Sequence, residues 1–475
     1  MTRRLPSLPL VLCLVAAPRV AVPAAAEESA LGPEVLARAE QLRDNAAAGS
    51  GAYELLRSLT VEASPRFAGS PGDRAGVEWG LATMRRLGFD DVRAEPVTVP
   101  QWVRGEEAGW ILDPSLRPVV LAALGGSVGT AEPDLTAEVV PVVDLDELEA
   151  LPREAVAGKI VFFTRRMERT REGSGYRPTV RARGAGPSAA AAKGAVGMIM
   201  RSAGTSTNRI AHTGATRYKD DVPRIPAAAL SHPDADVLEA RLAMGEPVRF
   251  RLRLTSRYLA DAQSANVIGE IRGRERPQEI VLLGCHLDSW DTGEGAQDDG
   301  AGCAIILEAA RRIGELPERP RRTVRVVLFA NEEFGLSGAR AYGEAHAEEM
   351  AGHALGAESD LGSGRIWQLS SKVAADALPI IDAMAAVLEP LGIERGDNEA
   401  RGGADLRPLR AAGVPVLSLR QDATKYFDIH HTVNDTLVQV DRQELDQNVA
   451  AYTATAYLAA ESPVRFGPLP AETER

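Results

Sequence analysis

The chain has 475 residues, of which 45% are hydrophobic, and a formal net charge of −12 at pH 7. This length is too great for one ordinary domain, so we expect two, and the apolar content is enough to bury a large core. The acidic balance argues against nucleic acid and anionic membrane surfaces as partners, because both repel a negatively charged protein.

The first 26 residues have the pattern of a signal peptide. Arg3 and Arg4 precede an apolar stretch at 8–17, and three alanines follow at 24–26. This is the order of a charged region, a short apolar region and a small-residue cleavage site, and the apolar stretch is too short to span a bilayer. We therefore expect residues 1–26 to be removed on export, which leaves a periplasmic or secreted chain without a membrane anchor.

Residues 27–111 carry amphipathic helix patterns, including one at 74–87, and a strand pattern at 92–99. Between 112 and 258 the texture changes to short strands and glycine-rich turns. The clearest strand there is 158–163, and an alanine-rich helix at 188–193 precedes a strand at 194–200. We predict that residues 112–258 form a separate domain.

An apolar run at 280–285 is short and continuous enough to be a strand buried on both faces of a sheet. It ends in His286, and Asp288 lies two residues further on. A metal-bound imidazole usually donates its other ring N–H to a carboxylate. We predict that His286 binds a metal ion and that Asp288 fixes its tautomer.

The next candidate ligand lies on a glycine-rich turn at 295–302, which opens into an apolar helix pattern at 303–316. A carboxylate on such a turn can offer one oxygen to each of two cations. We therefore predict that Asp298 bridges two metal ions.

A second buried strand pattern, 323–330, delivers Glu332 and Glu333 at its carboxyl end, where open α/β sheets place their ligand crevices. One glutamate can bind metal while its neighbour takes a proton from the attacking water. Asp360 and His431 complete a set of imidazoles and carboxylates without thiolate. Such a set suits a catalytic site better than a structural zinc site.

The remaining patterns are a strand at 414–419, a closing amphipathic helix at 441–460 and a loosely ordered tail at 462–475. Cys285 and Cys303 flank the metal turn, and they are the cysteines left once the leader is removed. They can form a disulfide in an oxidising compartment, or they can be two small buried hydrophobes. We favour the second interpretation.

Five segments in order, HLDSWD, GAQDDGAG, NEEFGLSG, ESDLG and YFDIHHTVNDT, resemble those of the plasma glutamate carboxypeptidase family of co-catalytic di-zinc metallopeptidases, which is related to zinc aminopeptidases and glutamate carboxypeptidases. One short motif is weak evidence, but five in the right order are specific. The resemblance covers most of the chain. It implies an α/β fold, in which residues 27–111 and 259–461 form a mixed, mostly parallel sheet sandwiched by helices, and a protease-associated domain inserted at 112–258 that walls the cleft.

The resemblance also implies which residues bind each zinc ion and which residue acts as the general base. It places one zinc ion on His286 and Asp360 and a second on Glu333 and His431, with Asp298 between them. It makes Glu332 the general base.

Two further residues are candidates at this site. His430 stands where some relatives carry tyrosine, and we predict that it donates a hydrogen bond to the tetrahedral oxyanion. Asp405 is a candidate carboxylate for the α-amino group of the substrate.

We therefore predict an exported exopeptidase with two zinc ions per chain that hydrolyses dipeptides or short unblocked peptides, and the resemblance implies a homodimer. One alternative is a broad-specificity zinc aminopeptidase that uses the same site. A second is a non-catalytic, receptor-like protein, which the intact ligand set disfavours. A third is a glutaminyl cyclase, which uses a similar architecture with one zinc ion.

Overall fold

The computed structural model describes residues 31–131 and 134–471, so the predicted signal peptide lies outside the described residues. Within them, no helix is long and apolar enough to cross a membrane. The helices are α1 (Pro33–Ala47), α2 (Ala52–Ala63), α3 (Pro71–Arg86), α4 (Leu145–Ala150), α5 (Arg153–Val156), α6 (Tyr176–Ala192), α7 (His232–Leu242), α8 (Ala301–Gly314), α9 (Ser337–Ala345), α10 (Leu378–Leu388), α11 (Arg407–Ala411) and α12 (Arg442–Glu461).

The strands form two large sheets and a short two-stranded ladder. They are β1 (Asp90–Val99), β2 (Trp102–Val103), β3 (Glu107–Ile111), β4 (Arg117–Val119), β5 (Leu121–Ala123), β6 (Leu135–Val142), β7 (Ile160–Phe163), β8 (Gly197–Arg201), β9 (Ala227–Leu230), β10 (Arg249–Leu254), β11 (Arg257–Tyr258), β12 (Ala262–Ile271), β13 (Arg276–His286), β14 (Arg322–Phe329), β15 (His353–Glu358), β16 (Ile366–Lys372), β17 (Glu394–Arg395) and β18 (Val416–Gln421).

The main sheet has the strand order β1-β12-β14-β13-β15-β18-β16-β17. Its four central strands, β14, β13, β15 and β18, run parallel to one another. Helices cover both faces of the sheet. Alternate residues of β13 point to opposite faces and therefore enter different cores. Leu283 packs in the core that includes α8 and α12, whereas Leu282 packs in the core that includes α9 and α11. The predicted mixed α/β fold with a helix-covered sheet is confirmed.

The predicted elements of this sheet have local physical causes. The strand patterns at 280–285 and 323–330 correspond to β13 and β14, whose apolar residues are buried on both faces. The helix pattern at 441–460 corresponds to α12, whose first turn is capped by Asp441 through the backbone N–H groups of Gln443 and Glu444. The helix pattern at 74–87 corresponds to α3, which begins earlier because Pro71 follows the cap Ser70.

The second sheet, with the order β4-β3-β10-β6-β7-β8-β9-β5, is an excursion from the main one. The chain leaves the main sheet at Val99 and returns at Ala262, which is paired with Val99 in the antiparallel ladder between β1 and β12. Next to this point of exit and return, β2 and β11 pair in a short antiparallel ladder. We placed the start of the inserted domain at residue 112, but β3 already pairs with β10 of the second sheet, so that sheet begins at Glu107.

The tail was expected to be loosely ordered, but its described part is fixed to the main domain. Phe466 is fully buried, and its carbonyl accepts the N–H of Ala374 at 2.9 Å. The N–H of Leu469 donates to the carbonyl of Gly413 at 2.9 Å. An apolar side chain amid the prolines and charges of this segment supplies the anchor.

Candidate metal centre

Side chains of metal-binding type follow the neighbouring parallel strands of the main sheet at their carboxyl ends. His286 is the last residue of β13, Glu333 follows β14 and Asp360 follows β15. His431 follows β18 after the short helix Tyr426–Asp428. Because the carboxyl ends of parallel strands meet at one edge, these side chains converge beside the turn that carries Asp298.

The first ligand group joins His286, Asp298 and Asp360. Nε2 of His286 lies 3.1 Å from Oδ1 of Asp298 and 3.2 Å from Oδ1 of Asp360. The second group joins His431, Asp298 and Glu333. Nε2 of His431 lies 3.2 Å from Oδ2 of Asp298 and 3.0 Å from Oε2 of Glu333. The structure therefore brings all five predicted ligands together, with Asp298 in both groups.

The two groups fit zinc in spacing and in chemistry. Tetrahedral zinc holds nitrogen and oxygen ligands at about 2.0–2.1 Å, which separates the ligand atoms by about 3.3 Å, close to the distances found. Oε1 of Glu333 and Oδ2 of Asp298 are buried but make no hydrogen bond within residues 31–131 and 134–471. Burial and the charge of Asp298 raise the pKa of Glu333 to about 7. A buried group of carboxylates with unused oxygens is the environment that a cation stabilises.

Asp288 supports this centre, but not through the contact that the sequence predicts. Nδ1 of His286 lies 3.0 Å from the main-chain carbonyl oxygen of Asp288, whereas the nearer carboxylate oxygen is 3.7 Å away. The carboxylate instead accepts the backbone N–H groups of Glu332, at 2.9 Å, and Glu333, at 3.3 Å. Asp288 therefore orients His286 with its carbonyl and the two glutamates with its side chain.

Glu332 differs from its neighbour in what it contacts. Glu333 lies in the second ligand group, whereas the Glu332 carboxylate belongs to neither group of ligand atoms among the described residues. Burial and the nearby charge of Asp360 raise the pKa of Glu332 well above its usual range. The geometry thus leaves the Glu332 carboxylate beside the centre and free for another task.

His430 lies against the second ligand group. Its ring stacks on that of His431, with the ring centres 3.5 Å apart, and its Nε2 is 3.5 Å from Oδ2 of Asp298. Burial lowers the pKa of His430 well below its usual value, so the ring is neutral and carries one N–H. His431 is the better ligand of the two, because it lies closer to Asp298 and also contacts Glu333.

Asp405 is fully buried, and both of its carboxylate oxygens lack a hydrogen-bond partner in the described part of the chain. Burial, followed by the charges of Glu358 and Glu332, raises the pKa of Asp405 well above its usual value. The loop that carries Asp405 is held by Glu358, whose carboxylate accepts the N–H groups of Ala404, Asp405 and Leu406 at 3.0–3.2 Å. Sequence reasoning missed Glu358, although it stands two residues before Asp360 in the segment ESDLG.

Sequence reasoning also missed Trp290 and the pairing of the two cysteines. The indole N–H of Trp290 donates to Oε2 of Glu333 at 2.6 Å, and its signal was the tryptophan of HLDSWD.

Cys285 and Cys303 form a disulfide, so our preference for two separate buried thiols was wrong. The turn that carries Asp298 reverses the chain and brings the start of α8 back against the end of β13, which places the two Cα atoms 5.3 Å apart.

Comparison with known proteins decides the family. Residues 266–456 match the model for peptidase family M28. Carboxypeptidase Q of Mus musculus and that of Homo sapiens are each 34% identical over 409 residues, which cover 86% of this chain and 85% of each relative. The chain belongs to peptidase family M28. The predicted zinc metallopeptidase is thereby confirmed at the level of the family.

Solved structures agree with this assignment. The structure of a peptidase M28 precursor from Shewanella amazonensis has a TM-score of 0.91 and 48% identity, and the match covers 92% of this M28 chain and 99% of the other. A zinc aminopeptidase from Bacillus subtilis has a TM-score of 0.62 at 20% identity, with 86% and 93% of the two chains covered. The second likeness shows the shared fold.

Proposed function

We propose that this M28 peptidase is a di-zinc exopeptidase that hydrolyses dipeptides or short unblocked peptides. The observation that carries the proposal is the division of Asp298 between two ligand groups, one oxygen facing His286 and the other facing His431. Two groups that share a carboxylate suit a pair of metal ions. The same observation disfavours a glutaminyl cyclase, which needs one zinc ion, and a receptor-like protein, which needs none.

Zinc bound at the two groups would polarise the scissile carbonyl and make the attacking water more acidic. The proton transfers then fall to Glu332. Its carboxylate takes the proton from the water and passes it to the nitrogen of the leaving amine. This role is supported by the hydrogen bond from the Glu332 N–H to Asp288, which fixes the backbone at this point, and by the absence of Glu332 from both described ligand groups.

His430 is proposed as the donor to the tetrahedral oxyanion. A neutral imidazole has one N–H to donate, and burial keeps His430 neutral. The proposal is supported by the position of the ring, which stacks on His431 and has its Nε2 3.5 Å from Oδ2 of Asp298. A donor fixed in a water-poor site stabilises developing negative charge more strongly than it would in water.

Asp405 is proposed to bind the α-ammonium group of the substrate. A buried carboxylate without a partner gains most from a cationic ligand, because the ligand replaces the hydration that burial removed. The proposal is supported by the hydrogen bonds between this loop and Glu358, which stands two residues before the ligand Asp360. A free amine requirement would restrict the enzyme to unblocked substrates.

The test is a comparison of free and N-acetylated dipeptides, together with the zinc content of the purified enzyme. We expect two zinc ions per chain, and hydrolysis of free dipeptides with little activity on the acetylated ones. Efficient cleavage of acetylated dipeptides would instead indicate a true carboxypeptidase. Equal cleavage of longer unblocked peptides would favour the second candidate, a broad-specificity zinc aminopeptidase. Asp405 suits either enzyme, and an aminopeptidase is among the proteins of this fold.

We also propose export by the leader at residues 1–26, a homodimer in solution, and the assignment of the second sheet to a protease-associated domain that walls the cleft. The leader has the composition of a signal peptide. The dimer and the domain assignment rest on the resemblance in sequence. Sizing of the mature protein would test the dimer.

A further inference from the structure

The inserted domain contacts a metal ligand directly. The carbonyl oxygen of Thr213, on a loop of the inserted domain, lies 3.4 Å from Nδ1 of His431. The backbone N–H of Thr213 donates to the carbonyl oxygen of His431 at 2.9 Å. One residue of the inserted domain therefore holds both the ring and the backbone of His431.

The guanidinium of Arg183 also lies near Nδ1 of His431, and the hydrogen-bonding chemistry of the two neighbours shows which one can pair with this nitrogen. Nη1 of Arg183 lies 3.5 Å from Nδ1 of His431. A guanidinium can only donate, so pairing with Arg183 would leave the proton of His431 on Nε2, the nitrogen that faces Asp298 and Glu333. Metal binding at Nε2 requires the proton on Nδ1, and the Thr213 carbonyl is the partner that accepts it.

The inserted domain also supports Glu333, through Trp290. The Trp290 indole donates to Glu333 and is almost completely buried. Gly125 of the inserted domain packs on this ring so closely that a Cβ atom added at Gly125 would lie 2.0 Å from it. Gly125 is joined to the Thr213 loop, because its N–H donates to the carbonyl of Gly214 at 3.0 Å.

Arg104 links two loops of the inserted domain, the one that carries Gly125 and the one that carries Thr213, to the main domain. Its guanidinium binds both carboxylate oxygens of Asp291, next to Trp290, at 2.5 and 2.9 Å. It also donates to the carbonyl oxygen of Ala123 at 2.7 Å and to the hydroxyl oxygen of Thr213 at 3.2 Å. The ends of both loops are thus fixed by one side chain.

In the described part of the chain, the inserted domain comes near the first ligand group through apolar packing, where Leu361, next to Asp360, packs on the cluster that contains Met167, and not through a hydrogen bond to the side chain of His286. His286 is oriented by the carbonyl of Asp288, and Asp288 binds the backbone of Glu332 and Glu333, all within the main domain. The two ligand groups therefore differ in which domain holds them.

We propose that the inserted domain is a structural part of one of the two zinc sites, the one formed by Glu333 and His431, in addition to walling the cleft. Thr213, Gly125 and Arg104 are positioning residues for that site. This inference rests on the proposed di-zinc function. It means that movement of the inserted domain changes the affinity for one zinc ion and leaves the other unchanged.

The test uses the full-length, zinc-loaded protein in two backgrounds, each of which has lost one of the two zinc sites. His286→Ala keeps the Glu333–His431 site, and His431→Ala keeps the His286–Asp360 site. Gly125→Ala is then added to each, and zinc affinity is measured by competition with a chromogenic chelator. Contacts that orient a ligand are worth about 10–100-fold in metal affinity, so we expect at least a tenfold loss in the His286→Ala background and less than a twofold change in the His431→Ala background. Gly184→Ala is the matched control, because Gly184 lies in the same domain with nothing within 4 Å of an added Cβ.

Arg104→Gln provides a second variant should Gly125→Ala not fold, and it is expected to act in the same direction. Equal losses in both backgrounds, or no loss in either, would overturn the inference. Failure of the proposed function is recognised separately, because the protein without substitutions would then hold fewer than two zinc ions.

Discussion

Oδ1 of Asp298 faces Nε2 of His286 at 3.1 Å, while Oδ2 of the same carboxylate faces Nε2 of His431 at 3.2 Å. One short side chain thus touches imidazoles delivered by two different strands, β13 and β18. The strand between them, β15, contributes Asp360 to the same edge, and β14, on the other side of β13, contributes Glu333. The parallel strands therefore bring the ligands to one edge of the sheet, and Asp298 links the two ligand groups there.

The division of ligands predicts different metal losses from different substitutions. Asp298→Asn removes charge from both groups, so both zinc ions are expected to become labile, whereas His286→Ala is expected to release one. Zinc retained after dialysis against a chelator, measured by mass spectrometry, distinguishes these cases. Loss of the same amount of zinc from both variants would contradict a shared Asp298.

Asp405→Asn is expected to raise the KM for free dipeptides by about tenfold or more, because a charge-assisted hydrogen bond to the substrate amine is lost. Turnover at saturation is expected to change less, and the preference over N-acetylated dipeptides is expected to disappear. Asp220→Asn, at a fully exposed side chain, is the control. A KM unchanged by Asp405→Asn would remove Asp405 from the substrate site.

Buried histidines predict that the fold weakens as the pH falls. Burial lowers the pKa of His353 from 6.5 to about 4, and its Nε2 lies 2.8 Å from the hydroxyl of Tyr342. The neutral ring is favoured in the folded state, so its contribution is complete above pH 6.5 and is lost as the pH falls towards 4, at a cost of up to about 3 kcal/mol. The unfolding temperature relative to that of His353→Gln is therefore expected to fall across this range.

His346 provides a control of opposite sign. Burial opposes its charge, but hydrogen bonds and charge from Glu95 raise the pKa of His346, so its contribution is complete at low pH and is lost as the pH rises. His346→Gln is expected to cost most at acid pH. The same pH trend in both variants would contradict these assignments.

The disulfide between Cys285 and Cys303 is expected to stabilise the fold. The cysteines are 18 residues apart, and closing a loop of this size contributes about 3 kcal/mol through the unfolded state. Unfolding in denaturant with and without reductant measures the difference, with Cys285→Ala as the control that reductant does not affect. A midpoint that reductant leaves unchanged in the unmodified protein would show that the cysteines are not paired.

Much of the centre was predictable because its ligands follow long apolar strands, and the carboxyl ends of such strands share an edge. The local pattern marked His286 and the Glu332–Glu333 pair, whereas the choice of Glu333 as the ligand and the pairing with His431 came from the family resemblance. The support from Thr213 was not predictable, since it joins residues 218 positions apart and no local pattern marks a carbonyl as an imidazole partner. The cysteine pairing was missed because a buried thiol and a disulfide sulfur have the same apolar neighbours in sequence.

The start of the second sheet was misplaced for a related reason. Residues 107–111 have a strand pattern that suits either sheet, and the choice depends on the partner strand β10, which lies far along the chain. The tail was misjudged because a single apolar side chain, Phe466, fixes a segment whose composition otherwise indicates disorder. In both cases a long-range contact overrode the local pattern.

The most direct measurement compares two adjacent residues, Glu332 and Glu333. Glu332→Gln is expected to keep two zinc ions and to lose about 100- to 10,000-fold in turnover of a free dipeptide, because a positioned proton acceptor is removed while the ligands stay. Glu333→Gln, the matched control, is expected to lose zinc from the site that it shares with His431. Zinc content and turnover are measured on the same samples. If Glu332→Gln loses zinc together with activity, or keeps its activity, Glu332 is not the general base and the proposed mechanism is wrong.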